Sequence, residues 1–279
     1  MTPRWIRPRR LVGVLIVLLS ATAGALLAHD FFLKPDAFFL PTDATAALPI
    51  LNGTFATSEN TVDRARFVDV SMASPNGKVR LDTTAISFRH DTTLLTIHTG
   101  PSGTYQVGVA TLPRELDLKG ADFNAYLKEE AINGVLDERA RRGELEKPAR
   151  ERYAKHAKTL IQVGTQRSTP VGPALGQRAE LVPMDNPYAL PPGGSLRVRC
   201  LLEGKPIVGQ EVIVGGTDAK GLAIPEQVLR SDGDGVVTAR LDRSGKWFLK
   251  FVHMVPSQRT GVDYESDWAT LTFELRPPN

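Results

Sequence analysis

The residues best suited to bind a metal ion in this chain are its histidines, because the chain has one cysteine and no spaced cysteine cluster. The five histidines are His29, His90, His98, His156 and His253. No two stand at the spacing of an H-E-x-x-H motif, and no G-x-S-x-G sequence, phosphate-binding loop or complete calcium loop is present. Metal binding would therefore need ligands that are distant in the sequence to meet in the fold.

His29 has the most specific chemistry, provided that the chain is cut after Ala28. It would then carry a free α-amino group, and this amine and the imidazole Nδ1 could bind one metal ion together. An α-amino group has a pKa of about 8 in its reference state, so the metal displaces a proton and affinity should fall in acid. Such nitrogen ligands suit Cu, Ni, Co or Zn. The alternative is that His29 is simply the first residue of the mature chain or part of its tail.

The first 28 residues have the order of a secretory signal peptide. Residues 1–10 are basic, Leu11–Leu19 is apolar, and small residues follow. Cleavage after Ala25 fits the A-x-A rule, whereas cleavage after Ala28 would leave His29 first. An uncleaved anchor is the alternative, but no later stretch is apolar for 18 residues, so no membrane span is expected after cleavage. The expected location is the periplasm or the medium.

His253 is the second candidate ligand, and its surroundings are apolar. It follows Trp247, Leu249 and Phe251 on one face of a predicted strand. A core histidine with a satisfied hydrogen bond is the more common explanation of this pattern.

Three weaker candidates are acidic or lie on a predicted helix. Glu265 and Asp267 alternate after the His253 strand and could supply oxygen ligands or orient an imidazole, although such a run is commonly a solvated edge. His156 falls on a predicted helix, where a surface or partly packed position is the ordinary expectation.

Composition excludes some classes of protein. The chain has 279 residues, is 42% hydrophobic and has a formal net charge of +3. Four arginines lie before residue 11, and the rest carries 30 basic against 31 acidic residues, so nucleic-acid binding is not expected. Cys200 is the single cysteine, so no intramolecular disulfide can form. Apolar residues alternate around it, which predicts a buried, inert thiol.

The elements that must position these residues are mainly β-strands. Residues 29–164 predict a β-sandwich-like domain with a helical insertion at about 121–160, where a second helix begins at Pro148. Residues 165–178 are rich in proline and glycine and predict a linker. Residues 179–279 predict a second sandwich with the layout of a transthyretin-like or Cna-B-like Ig module.

Four segments together resemble the exported bacterial family known as domain of unknown function 4198. They are residues 28–35 (AHDFFLKP), 151–158 (ERYAKHAK), 183–188 (PMDNPY) and 264–273 (YESDWATLTF). Members are described as periplasmic components of cobalt or nickel uptake systems. The resemblance implies that the mature protein starts at His29, that His29 and His253 are the metal ligands, and that a membrane transporter is the partner.

Three functions follow, of which the first is favoured. The first is non-catalytic binding of a divalent transition metal, nickel or cobalt before others, for uptake. The second is a structural or adhesion module that binds protein or glycan. The third is a copper-dependent oxidative enzyme with a histidine brace, although no aromatic substrate face is evident.

Overall fold

The computed structural model describes residues 29–169, 171–191 and 193–276. The predicted signal peptide, residues 1–28, lies outside the described residues, and so does the choice between the two cleavage sites. Among the residues described, no helix is both long enough and apolar enough to cross a membrane.

Strands dominate the described chain, which confirms the predicted mainly-β class. The first half contains β1 (Asp30–Leu33), β2 (Phe39–Leu40), β3 (Thr45–Gly53), β4 (Phe67–Ser74), β5 (Gly77–Arg80), β6 (Ile86–Arg89), β7 (Thr92–His98), β8 (Gly103–Thr111), β9 (Arg114–Leu118), α1 (Gly120–Glu129), α2 (Asn133–Arg141) and β10 (Ala149–Val163). The second half contains β11 (Ala179–Pro183), β12 (Ser195–Leu202), β13 (Lys205–Pro206), β14 (Glu211–Asp218), β15 (Ala223–Arg230), β16 (Val236–Arg240), β17 (Gly245–Pro256) and β18 (Tyr264–Leu275).

One large central sheet carries a smaller sheet on each face. Its strand order is β15-β14-β17-β18-β10-β8-β4-β5, with β2 and β9 also paired to β10. The first smaller sheet has the order β1-β3-β7-β6, and the second has β11-β12-β13 with β16 beside β12. The two predicted sandwiches are therefore built on a common sheet.

Side chains on the two faces of the central sheet enter different cores. Trp247, Leu249 and Phe251 of β17 pack with the strands of the second smaller sheet, whereas Phe248 packs on the other face with Phe32 of β1. This follows from the period of two along a strand. Burial of each such side chain stabilises the fold by about 1.5–3 kcal/mol.

Strand β10 joins the two halves of the chain. It runs parallel to β18 of the second half and antiparallel to β8 of the first. Residues 165–178 contain no strand or helix among those described, and Val171 and Leu175 within this segment are buried. The connection between the halves is therefore packed against the protein.

The prediction of a helical insertion is correct for its first part and wrong for its second part. Helix α1 buries Phe123, Tyr126 and Leu127. Pro148 does not begin a helix, because Ala149–Val163 forms β10. Ala157 and Leu160, which would share one helix face, instead enter the cores on opposite faces of the central sheet. Tertiary packing on both faces thus overrides the local helical pattern.

Cys200 lies on β12 and is fully buried, which confirms the predicted burial of this thiol. Burial raises the pKa of this thiol to about 12. The thiolate, which is the reactive form, is therefore rare at neutral pH.

Candidate functional site

His29 lies directly before β1, and its imidazole is held by one carboxylate. Its Nε2 is 2.8 Å from Glu59 Oε2. An ionised carboxylate can only accept a hydrogen bond, so Nε2 carries the hydrogen and donates it. In a neutral imidazole this arrangement leaves the Nδ1 lone pair available.

The backbone at His29 is also fixed in place. Asp30 begins the antiparallel pairing of β1 with β3, where it stands opposite Gly53. The Lys155 ammonium group on β10 donates a hydrogen bond to the His29 carbonyl oxygen. His29 is therefore attached to both the first smaller sheet and the central sheet.

A cavity of about 340 Å³ opens beside His29. Three basic side chains, those of Arg66, Arg114 and Lys155, contribute to its lining. Lys155 is 5% exposed, and its Nζ lies 4.9 Å from the centre of the Trp268 ring. Burial lowers the pKa of Lys155 to about 8, although Asp30 and Glu151 partly oppose this effect.

A buried charge cluster lies next to His29 along β1. Lys250 Nζ on β17 contacts both Asp30 carboxylate oxygens, at 2.9 and 3.0 Å, and Glu130 Oε2 at 2.9 Å. Burial and the charge of Asp30 raise the pKa of Glu130 to about 7, although Lys250 opposes them. Burial disfavours the charged form of Lys250, but Asp30 and Glu130 outweigh that effect and raise its pKa.

His253 ends the apolar stripe of β17, as its sequence pattern indicates. Its Nδ1 is 3.0 Å from Gln210 Oε1, and it stands opposite Asp267 across β17 and β18. Burial lowers the pKa of the His253 imidazole, and the charge of Asp267 only partly offsets this. The neutral form, which can bind metal, is therefore favoured.

Asp267 connects His156 with an arginine. His156 Nε2 lies 3.2 Å from Asp267 Oδ1, and Arg178 Nε lies 2.9 Å from Asp267 Oδ2. Burial raises the pKa of the Asp267 carboxyl, but the bonds from His156 and Arg178 outweigh it and hold this pKa below its usual value. His156 is buried on β10, not on a helix.

Glu265, the other acidic candidate, is engaged by its own neighbours. Its carboxylate accepts hydrogen bonds from Ser257 Oγ at 3.0 Å and from Arg259 Nε at 3.3 Å. It lies near the start of β18 with about one third of its side chain exposed. These contacts are those of a surface ion pair.

The structure brings some of the candidates together and separates others. His156, Asp267 and His253 lie on one face of the central sheet, whereas Lys155, which holds the His29 backbone, lies on the opposite face. His29 and His253 are therefore not placed to share one ion. Within residues 29–276, leaving aside 170 and 192, no group of three or more His, Cys, Asp or Glu side chains is arranged to hold a metal.

The sequence reasoning missed Glu59 and the three basic residues of the cavity. Glu59 follows the end of β3 and is 30 positions from His29, so no local spacing relates them. Lys155 lies in the segment interpreted as a helix, and that interpretation gave no reason to place Lys155 beside β1. If residues 149–163 had been interpreted as a strand, the alternation of side chains would have placed Lys155 and His156 on opposite faces of the sheet.

The profile of the family described as "Domain of unknown function (DUF4198)" matches residues 26–255. The chain belongs to this family. The match covers β1 and His29, the cavity and most of the central sheet. It confirms the family resemblance and includes three of the four segments, because residues 264–273 lie beyond its end. A search of the curated proteins found no match.

Two solved structures align with this DUF4198 chain over most of its length. "Biofilm associated protein - BSP domain" has a TM-score of 0.19 and 11% identity, covering 86% of this chain and 29% of that chain. A "tetra-tandem repeat in extending region of large adhesion protein" has a TM-score of 0.20 and 11% identity, covering 84% and 48%. The chain thus spans less than half the length of either structure.

Proposed function

We propose that this protein is exported, is cut after Ala28, and binds a divalent transition metal as cargo through the α-amino nitrogen and Nδ1 of His29. Nickel and cobalt are the favoured metals, as the family resemblance implies, and copper and zinc suit the same nitrogen ligands. A membrane metal-uptake transporter is the proposed recipient. The protein acts in this proposal as a binding protein and not as an enzyme.

The contact between His29 Nε2 and Glu59 is the observation that carries the proposal. Metal-binding histidines commonly donate the hydrogen of their second ring nitrogen to a carboxylate. That bond fixes the tautomer and the ring orientation, and it makes the other nitrogen a better ligand. Glu59 stands in this position, so Nδ1 is the nitrogen that remains for a metal.

The attachment of the His29 backbone provides further support. The pairing of β1 with β3 and the hydrogen bond from Lys155 limit the motion of the residue that would carry both nitrogens. A fixed backbone lowers the entropy that is lost when the two nitrogens close on one ion. An N-terminal residue in a free tail would bear that cost in full.

His253 is left out of this site, because it lies on the opposite face of the central sheet. Its Nδ1 already faces the Gln210 side-chain oxygen. The cavity beside His29 offers other oxygen atoms, among them those of Asn52 and Asn60. The remaining ligands of the ion are therefore expected on the His29 side.

Replacement of either His29 or Glu59 should weaken metal binding. For the mature protein that starts at His29, we expect His29→Ala to raise the nickel Kd at least about tenfold and Glu59→Ala to raise it by about ten- to a hundredfold. Isothermal titration with nickel at pH 7.5 measures both. Matched controls are His98→Ala, an exposed histidine on β7, and His253→Ala. A His29→Ala protein with unchanged affinity would contradict the proposal, and so would a large loss in His98→Ala alone.

A further inference from the structure

The lining of the cavity beside His29 carries more positive than negative charge. The carboxylates that act on Lys155, those of Asp30, Glu151 and Glu130, lie outside this lining. Arg66, Arg114 and Lys155 line the cavity, and no aspartate or glutamate is part of the lining. Across the described residues, none of these three side chains has a carboxylate within ion-pair distance. Lys250, by contrast, contacts two carboxylates in the neighbouring cluster.

These charges lie close enough to one another to interact. Burial lowers the pKa of Arg66, the Tyr153 hydroxyl opposes this, and the charge of Arg114 lowers it further. Arg66 also contributes to the lowered pKa of Lys155. Like charges gathered around one cavity cost free energy in the empty protein. An anion in the cavity would remove that cost.

The chemistry of the three groups suits carboxylates. Arg66 Nη2 is anchored on the Leu112 carbonyl oxygen at 2.7 Å, which positions the rest of its guanidinium. Arg114 on β9 stands opposite Tyr153 on β10, two residues from Lys155 on the same face. Guanidinium groups donate paired hydrogen bonds to a carboxylate, and an ammonium group adds a point charge.

The apolar part of the lining distinguishes an organic anion from an inorganic one. Phe31, Val62 and Leu116 also line the cavity and would contact a carbon skeleton. A phosphate or sulfate ion has no such surface to bury. The volume of about 340 Å³ is at the lower end of the range for small-molecule sites.

We infer that this cavity binds a small di- or tricarboxylate, held by Arg66, Arg114 and Lys155. A second step rests on the proposed function: the carboxylate supplies the ligands that His29 lacks, so the cargo is a metal–carboxylate complex. Two nitrogens from His29 leave most positions of a six-coordinate ion open. The basic side chains repel a bare divalent cation, but they attract a complex whose carboxylates carry negative charge.

The test begins with metal-free titration of the mature protein with malonate, citrate and inorganic phosphate. Malonate or citrate should bind, and Arg66→Gln and Arg114→Gln should each raise the Kd at least about tenfold. Arg240→Gln is the matched control. Arg240 is exposed on β16, so its substitution removes one positive charge away from the cavity. The inference is overturned if neither carboxylate binds, if all variants bind alike, or if phosphate binds as tightly as the carboxylates.

A second measurement separates this inference from the proposed function. Nickel is titrated with and without malonate, and malonate should lower the nickel Kd in the wild-type protein but not in Arg66→Gln or Arg114→Gln. Malonate binding that depends on the arginines, in a protein that does not bind nickel, would support the anion site and overturn the metal proposal. Nickel binding that depends on His29 but is indifferent to malonate would overturn the metal–carboxylate step alone.

Discussion

Replacing Lys158 with methionine is expected to lower the free energy of unfolding by about 3–5 kcal/mol. Lys158 and Glu180 form an ion pair in which each side chain is about 1% exposed. Glu180 also accepts hydrogen bonds from the backbone N–H groups of Leu175 and Gly176, at 2.6 and 2.9 Å. Without the lysine, the protein must bury an unpaired carboxylate or protonate it, and either outcome costs stability.

Urea unfolding at pH 7.5, followed by tryptophan fluorescence, measures this loss. Arg243→Met is the matched control, because its pair with Asp242 is nearly half exposed on both sides. That control should change stability by less than about 1 kcal/mol. A loss in Lys158→Met as small as in the control would show that the pair is not buried as described.

Replacing Lys250 with methionine is expected to cost a similar amount, about 3–5 kcal/mol at pH 8, and to show a strong pH dependence. The substitution removes the ammonium group that contacts both the Asp30 and the Glu130 carboxylates. The folded-state pKa of Glu130 is about 7 even with the lysine present, above its ordinary value of 4.5. Loss of the lysine removes an interaction that lowers this pKa, so it should rise further.

The direction of the pH effect follows from the raised pKa. A carboxyl group with a raised folded-state pKa favours folding when protonated, and this contribution is lost as the pH rises from about 4.5 through 7. The destabilisation by Lys250→Met should therefore be smaller at pH 5 than at pH 8. Urea unfolding at both pH values measures it, with Lys147→Met, an exposed pair partner of Glu144, as the control. An equal loss at pH 5 and pH 8 would contradict the charge assignment.

The sequence predicts much of the second half because its strands follow a simple pattern. Trp247, Leu249 and Phe251 alternate with residues of the other face, and turn residues separate the strands. The first half is predicted less well at β10, where both faces are buried. Ala149–Val163 therefore lacks a clean alternation, and its alanines and charged residues are typical of helices.

The candidate site shows a similar division. The stripe that leads to His253 and a possible orienting role for Asp267 could be inferred from β-strand periodicity, and the structure places Asp267 against His156. The separation of His29 from His253 could not be inferred from this periodicity, because it depends on which face of the central sheet β1 covers. Glu59 and Lys155 reach His29 through long-range pairing that no local pattern records.

The free amine of His29 is the central element of the proposed function, and one residue is enough to test it. Mature protein that begins at His29 should be compared by nickel titration with protein that begins at Ala28, which keeps the imidazole and Glu59 but turns the amine into an amide. We expect the added residue to weaken nickel binding at least about tenfold, or about 1.4 kcal/mol. Equal nickel affinity in the two proteins would contradict chelation by the N-terminal nitrogen.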